Sequence, residues 1–559
     1  MTNLNIPVGI SDFAQIREQG YYYVDKSDLI FELLQTSSTK VTLITRPRRF
    51  GKTLAMSMLA DFFDIQKDSH QHFQDLKISG HTDFCQTWMN QFPTLFITFK
   101  DVDGTTFGSA FDMLKFTLSQ LCIDHSYLEE DLKINEAYKD IFKRLKKQTA
   151  SATDVKGAIL VLMKMLQIHY GKPVILLLDE YDVPVSKASS YGYYLEMLEI
   201  MKAMMSTSLK DNTALCFAVI TGCLRIAKES IFTGTNNFVS DTITDSHLNE
   251  YFGFTQADVD CILADAHKTD YAEEINVWYD GYHFGNFDVY CPWDVMNYLR
   301  DLQYNPSLRP ASYWKNTSDN AIIRSFIDFA GSSITMKLER LLDGGYIVQR
   351  IEENLTYDYL HSSEDNLWSI LYLTGYLTRA RKSDLTETLP IGMKALMIPN
   401  AEIKDIFETT IIKWFNESTQ HWNRAELFQA VWHGNASLMT SEMNKLLRKT
   451  ISYHDYREDF YHAFLADIFT GAGFIVESNK EHGEGRSDVI IYDPENGQMA
   501  LFEIKYSRTL DEMEKSCEKA ISQINEKMYA QEFEDSYDKI FCYGIAFFKK
   551  RCLVKLKEA

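Results

Sequence analysis

Residues 41–59 read VTLITRPRRFGKTLAMSML. The apolar run Val41–Thr45 predicts a short buried strand. Leu54, Met58, Leu59, Phe62 and Phe63 then recur at helical spacing. Gly51, Lys52 and Thr53 therefore stand at a strand–loop–helix junction. The free N–H groups of a helix start face outward there, and the helix dipole favours an anion in front of them. A lysine so placed reaches the β- and γ-phosphates of a nucleotide, and a threonine hydroxyl ligates Mg2+. The candidate nucleotide contacts are Arg48, Arg49, Phe50, Gly51, Lys52, Thr53 and Leu54. The loop departs from the usual GxxxxGK[ST] pattern, because Arg46 occupies the first glycine position. Pro47 stiffens it, and Arg46, Arg48 and Arg49 either add charge to the phosphate site or face a neighbouring element.

Further apolar runs follow at 94–99 (TLFITF), 174–178 (VILLL) and 216–221 (CFAVIT), with helical patterns between them. Unbroken apolar strands alternating with helices predict an α/β fold, a largely parallel sheet covered on both faces. The segment LLLDEYD places Asp179 and Glu180 at the end of a buried strand. The first acid suits the Mg2+ of a nucleotide, and the second suits orienting or deprotonating the attacking water. Tyr181 and Asp182 read as support. Thr221 and Arg225, at the tip of the next strand, are candidate sensors of the γ-phosphate.

With 559 residues and 45% hydrophobic content, the chain is long enough for about three or four domains. We place them at 1–265, 266–450 and 451–559, the middle one mainly helical with aromatic-rich loops such as WYDGYHFG (278–285). A net charge of −21 excludes a broadly basic, nucleic-acid-coating surface and leaves local patches for any such contact. Nine cysteines without a CxxC pair exclude zinc-finger spacing and argue against a disulfide framework. The first residues lack a signal-peptide pattern and no apolar stretch approaches a membrane span. A cytoplasmic location without membrane contact is expected.

The second chemistry lies in GRSDVIIYDPENGQMALFEIKYS, residues 485–507. VIIYD and QMALFEIK predict two strands joined by the turn PENG. A turn centred on Glu495–Asn496 sets Asp488 opposite Glu503; one centred on Asn496–Gly497 sets it opposite Lys505. Either register gathers Asp488, Glu503 and Lys505 on one face, because side chains alternate with period two. Asp488, Glu503 and the Ile504 carbonyl form a hard oxygen set suited to Mg2+. Lys505 would position or help deprotonate a water beside it. Glu458 or His462, on a helix expected at 458–469, and Gln523 and Tyr529, on a later one, are candidate supporting groups.

RPRRFGKT, LLDEYD and the lead-in IPVGISDF…YYYVDKSDLI resemble the bacterial AAA-ATPase-like family, as do TGCLRIAKESIFTGTNNF, YFGFT, WYDGYHFG, LYLTGYLT and IPNAEI. The RPRRFGKT variant is itself typical of that family. The resemblance implies an additional-strand (ASCE-type) P-loop NTPase fold that binds ATP and Mg2+. It also implies a C-terminal nuclease-like domain, and the D-x14-ExK arrangement of Asp488, Glu503 and Lys505 resembles the PD-(D/E)XK core. Ser487 stands where that motif has proline. The function expected is an ATPase whose nucleotide state gates a metal-dependent nuclease acting on DNA or RNA. The alternative is a nucleotide-dependent switch that binds nucleic acid or a protein partner through an inactive nuclease-like domain. The oligomeric state is left open.

Overall fold

The computed structural model describes residues 4–35, 39–225, 238–314, 332–353, 355, 363–386, 388–420, 425–449, 461, 465–466, 468–469, 474–478, 481–482, 485–486, 488–528, 531–533, 536–548 and 551–557. They divide into two compact units, one of residues 1–322 with 344–406, the other of 323–343 with 407–559.

The first unit is built on five strands: β1 (Val41–Thr45), β2 (Thr94–Thr98), β3 (Val174–Asp179), β4 (Leu215–Gly222) and β5 (Phe238–Asp241). Their order is β2-β3-β4-β1-β5, and every pairing is parallel. β4 thus lies between the strand that feeds the Gly51 loop and the strand that ends at Asp179, which is the ASCE arrangement of a P-loop NTPase. Alternate strand residues point to opposite faces, and each face has its own core. Leu43, Ile97, Leu176, Leu178 and Ile220 pack with the helices Phe107–Asp124, Ala152–Tyr170 and Tyr194–Leu209. Ile44, Ile175, Leu177 and Val219 pack with the helix Lys52–Phe63 and the lead-in residues Phe13, Leu29 and Ile30. Helix 152–170 is fixed at both ends, by a Ser151/Asp154 capping box and by left-handed Gly171.

Past the sheet come the hairpin β6 (Tyr282–Phe284) and β7 (Phe287–Val289), then the helix Pro292–Tyr304, which begins with a proline where no N–H is needed. β8 (Ile347–Arg350), β9 (Thr378–Arg379) and β10 (Met393–Met397) form a small antiparallel sheet. Helices are numerous in this middle stretch, and no helix among the described residues is long and apolar enough to cross a membrane.

The second unit holds a mixed sheet of β11 (Ile475–Ser478), β14 (Val489–Asp493), β15 (Gln498–Tyr506), β16 (Lys539–Phe548) and β17 (Arg551–Leu556), in that order. A two-residue ribbon, β12 (Glu481–His482) with β13 (Gly485–Arg486), stands apart from it. β15 and β16 are parallel, so a crossover is required. The helix Met513–Glu526 supplies it. The opposite face reaches back in sequence beyond the boundary expected at 450. Leu427, Val431, Met439 and Met443, from the helices Ala425–Trp432 and Ala436–Lys449, share a core with Phe502, Ile504 and Tyr543. Likewise, residues 266–406 other than 323–343 belong to the first unit rather than standing alone.

Candidate functional site

The loop between β1 and the helix Lys52–Phe63 is held by its own side chains. Arg46 is fully buried, ion-paired with Asp241 at the end of β5, and lies 5.2 Å from the Phe252 ring centroid. It therefore faces a neighbouring element, and its charge is spent on Asp241 rather than on the cavity. Pro47 is overlaid by Gly375, where an added Cβ would come within 2.9 Å of the proline ring. Arg49, at φ 73°, stacks on Trp293 with 4.2 Å to the ring centroid. Phe50 is buried between Tyr282 and Phe284, with centroid separations of 4.9 and 5.0 Å. Each anchored residue of RPRRF thus has a partner from residues 241 to 375. The shape that glycine freedom gives other phosphate loops is here imposed by packing. Gly51 still has the left-handed φ of 79° that turns the chain into the helix.

Lys52 is buried, and its ammonium donates to the carbonyls of Arg46 at 2.9 Å and Pro47 at 2.8 Å. Thr53 Oγ1 donates to Asp179 Oδ2 at 2.9 Å, and Thr221 Oγ1 donates to Asp179 Oδ1 at 2.6 Å. Asp179 is fully buried behind these hydroxyls. Glu180 follows with φ 52°, a conformation that costs a non-glycine residue about 1–2 kcal/mol. Backbone held in such regions gathers at functional sites. Burial pushes the Glu180 carboxyl above its ordinary range, while the charge of Lys52 draws it back. Asp182 accepts from the N–H groups of Cys223 and Leu224, and Tyr181 donates to the Leu224 carbonyl, so both brace the tip of β4.

A cavity of about 530 Å³ opens in front of the helix start, a size usual for small-molecule sites. Arg48, Arg49, Phe50, Gly51, Lys52, Thr53, Leu54 and Glu180 all contribute to its wall. Val8, Ile10, Tyr22, Phe254, Trp293 and Met296 add apolar and aromatic groups to the same wall. Arg225 is not part of the described wall. Sequence reasoning missed the lead-in, Trp293 and Lys100, which also lines the cavity. Only the position of Lys100 two residues after an apolar strand offered a hint. Beside the loop, Cys291 donates to the Arg49 carbonyl at 3.8 Å. Next to it, Asp294 and Glu402 are fully buried and each feels the other. Burial raises Asp294 to about 6, and burial together with the charge of Asp294 raises Glu402 further.

In the second unit, β14 pairs with β15 so that Val489 faces Phe502 and Asp493 faces Gln498. Continuing this register sets Asp488 opposite Glu503, the first of the two turns considered, with Pro494–Asn496 and left-handed Gly497 making the connection. Asp488 Oδ2 accepts from the Ile504 N–H at 2.6 Å. A strand residue directs its N–H and C=O to the same neighbour, so the Ile504 carbonyl faces the Asp488 side. Glu503 is fully buried and its Oε1 accepts from Lys505 Nζ at 2.9 Å. Gln523 is half-buried on the crossover helix. Glu458, His462 and Tyr529 lie outside the described residues.

The family model described as Predicted AAA-ATPase matches residues 7–232, and that of the PD-(D/E)XK nuclease superfamily matches 456–557. The chain is also 24% identical over 564 residues to an uncharacterized protein in the vnfD 5' region of Azotobacter chroococcum mcd 1, covering 98% of this chain and 97% of the relative. The chain therefore joins a predicted AAA-ATPase region at 7–232 to a PD-(D/E)XK nuclease superfamily region at 456–557.

Proposed function

We propose that the chain binds and hydrolyses ATP in the cavity before the helix Lys52–Phe63, and that its nucleotide state gates metal-dependent phosphodiester cleavage in the second unit. The observation that carries the first half is the junction of Thr53 with Asp179, set beside Glu180 at the tip of β3 and opening onto a cavity lined by both basic and aromatic side chains. The stretch of wall with Arg48, Lys52 and the helix N–H groups suits the phosphates. The aromatic groups, Tyr22, Phe254 and Trp293, suit the base. Thr53 and Asp179 present adjacent oxygen donors that fit Mg2+, which supplies charge neutralisation when bound. Glu180 orients the attacking water and takes its proton, and its raised pKa brings a carboxylate toward the range where a base works well.

The second half rests on Asp488, Glu503 and the Ile504 carbonyl, an oxygen set that fits a divalent cation, with Lys505 beside it. The cation would supply a more acidic water. Lys505 would hold that water against the phosphodiester. The net charge of −21 favours a second reading, in which this unit binds nucleic acid or a partner without cutting it.

Two measurements separate these readings. ATP turnover by the full chain is compared with that of Lys52→Ala, expected to fall by about 10²-fold or more. DNA and RNA substrates are then incubated with Mg2+ or Mn2+, with ATP, ADP or neither, with Glu503→Gln as control. Cleavage that follows the nucleotide and vanishes in the control supports gating. Nucleotide-dependent binding with every substrate intact supports the switch. Turnover untouched in Lys52→Ala would sink the ATPase reading.

A further inference from the structure

We propose that Lys100 supplies, from the same chain, the cation that meets the charge building on the transferred phosphoryl group. This rests on the ATPase reading above and adds a residue to it.

Lys100 follows β2, the edge strand beside β3. The register sets Thr98 level with Asp179, and the Phe99 N–H donates to the Asp179 carbonyl at 3.0 Å. Lys100 therefore leaves the sheet beside the turn that carries Glu180, and both residues line the cavity. A turn closed from the Val102 N–H to the Phe99 carbonyl at 3.0 Å fixes its backbone, and fully buried Phe99 anchors it. Thr98 Oγ1 approaches Asp179 Oδ2 at 3.4 Å, tying the end of β2 to the same acid that accepts from Thr53.

Four lysines line the cavity: Lys26, Lys52, Lys100 and Lys187. Three are committed. Lys26 donates to Asp258 and to the Glu250 carbonyl, Lys52 to two loop carbonyls, and Lys187 is paired with Asp103 at 3.6 Å. Lys100 is exposed, and among the described residues its ammonium has no hydrogen-bond or ion-pair partner. A lysine stem is long and flexible, so this charge can turn into the cavity that Glu180 also lines. An uncommitted cation at that rim is what phosphoryl transfer calls for, because charge spreads over the departing and equatorial oxygens as the reaction proceeds. The water oxygen forms a new bond to the terminal phosphorus. The bond from that phosphorus to the bridging oxygen breaks, and its electron pair leaves with the diphosphate. The water proton passes to Glu180. Lys100 stays protonated throughout and meets the charge.

The test compares the full chain with Lys100→Ala and Lys100→Arg, reading kcat and KM for ATP, ADP affinity, and the extra affinity for ADP conferred by aluminium fluoride, a mimic of the transferring group. Lys100→Ala is expected to lower kcat by about 10²-fold with little change in KM or ADP affinity, and to lose the aluminium fluoride gain. Lys100→Arg recovers part of both. Since Lys100 is exposed, unchanged ADP affinity also certifies a folded variant. Wild-type kcat, or an intact aluminium fluoride gain, in Lys100→Ala overturns the assignment while the ATPase reading stands. A wild-type chain that binds no ADP and turns over no ATP removes the parent reading, and this one with it.

Discussion

The Thr53 hydroxyl and the Asp179 carboxylate meet at 2.9 Å, joining the start of the helix Lys52–Phe63 to the tip of β3. Asp179 also receives the Thr221 hydroxyl, so three elements converge on one buried acid. Groups that act as a unit lose function together. Thr53→Ala and Asp179→Asn should each lower ATP turnover by about 10–100-fold, and the double variant should be little worse than the weaker single one. A Mg2+ titration of turnover for all four proteins checks this. Strictly additive losses would separate the two residues.

As the proposed base, Glu180 should set the acid side of the turnover profile. Burial holds its carboxyl above the ordinary 4.5, and a base must be deprotonated to accept a proton. Turnover should therefore fall on acidification at a higher pH than an exposed glutamate would dictate. Glu180→Gln should remove that limb along with most of kcat. A limb at the ordinary carboxylate range would contradict the assignment.

Asp294 and Glu402 make stability fall as pH rises. Both carboxyls bind a proton more tightly folded than unfolded, Asp294 at about 6 against an ordinary 3.8. Their neutral forms fit the interior, so their stabilising contribution is complete below the ordinary range and is lost as pH climbs through about 6. Glu402→Gln keeps an acceptor for the Trp314 N–H, which donates to Oε1 at 2.9 Å, and removes one charge. It should raise the melting temperature at pH 8 and leave it nearly unchanged at pH 4. Calorimetry at both values decides.

Gly375 is a point of close approach. Its φ is 90°, and a Cβ there would meet Pro47 at 2.9 Å and Trp314 at 3.0 Å. Gly375→Ala should cost about 1–3 kcal/mol from overpacking, with weaker ADP binding because the phosphate loop shifts with Pro47. Loss of stability without loss of ADP affinity would disconnect the two.

Lys505 compensates a buried charge. Glu503 is fully buried, and the Lys505 ammonium lies 2.9 Å from it. Lys505→Ala should cost about 2–3 kcal/mol, below the full value for a wholly buried pair because Lys505 is partly exposed. Glu503→Gln with Lys505→Met should recover that stability without recovering cleavage. Urea denaturation of the wild type and both variants is the check.

Strands β1 to β4, β14 and β15 were legible because their signals are local, whereas β11 and β17, at the edges of the second sheet, were not read. Apolar runs such as VTLIT, VILLL and VIIYD mark buried strands, and the observed limits of β1, β3 and β14 follow those runs. β5 escaped because FVSD is four residues long, lies at the sheet edge and exposes Val239. The β6–β7 hairpin sits in an aromatic stretch that reads as a loop. At the site, Lys52, Thr53, Asp179 and Glu180 were visible as chemistry at strand tips. The place of Arg46 was not, because its partner Asp241 lies 195 residues away. The hairpin register also stayed open between two turns in the sequence, and left-handed Gly497 after the short turn Pro494–Asn496 closes it.

The anchoring of residues 46–50 limits how the chain can be cut. Asp241, Tyr282, Phe284, Trp293 and Gly375 all lie beyond residue 232, where the ATPase match ends. A fragment trimmed to that match would keep every motif residue and lose the casing that shapes them. The smallest excerpt able to present this phosphate loop correctly must run through the whole first unit, to about residue 406. What looks interchangeable in a motif search is indivisible as a folding piece.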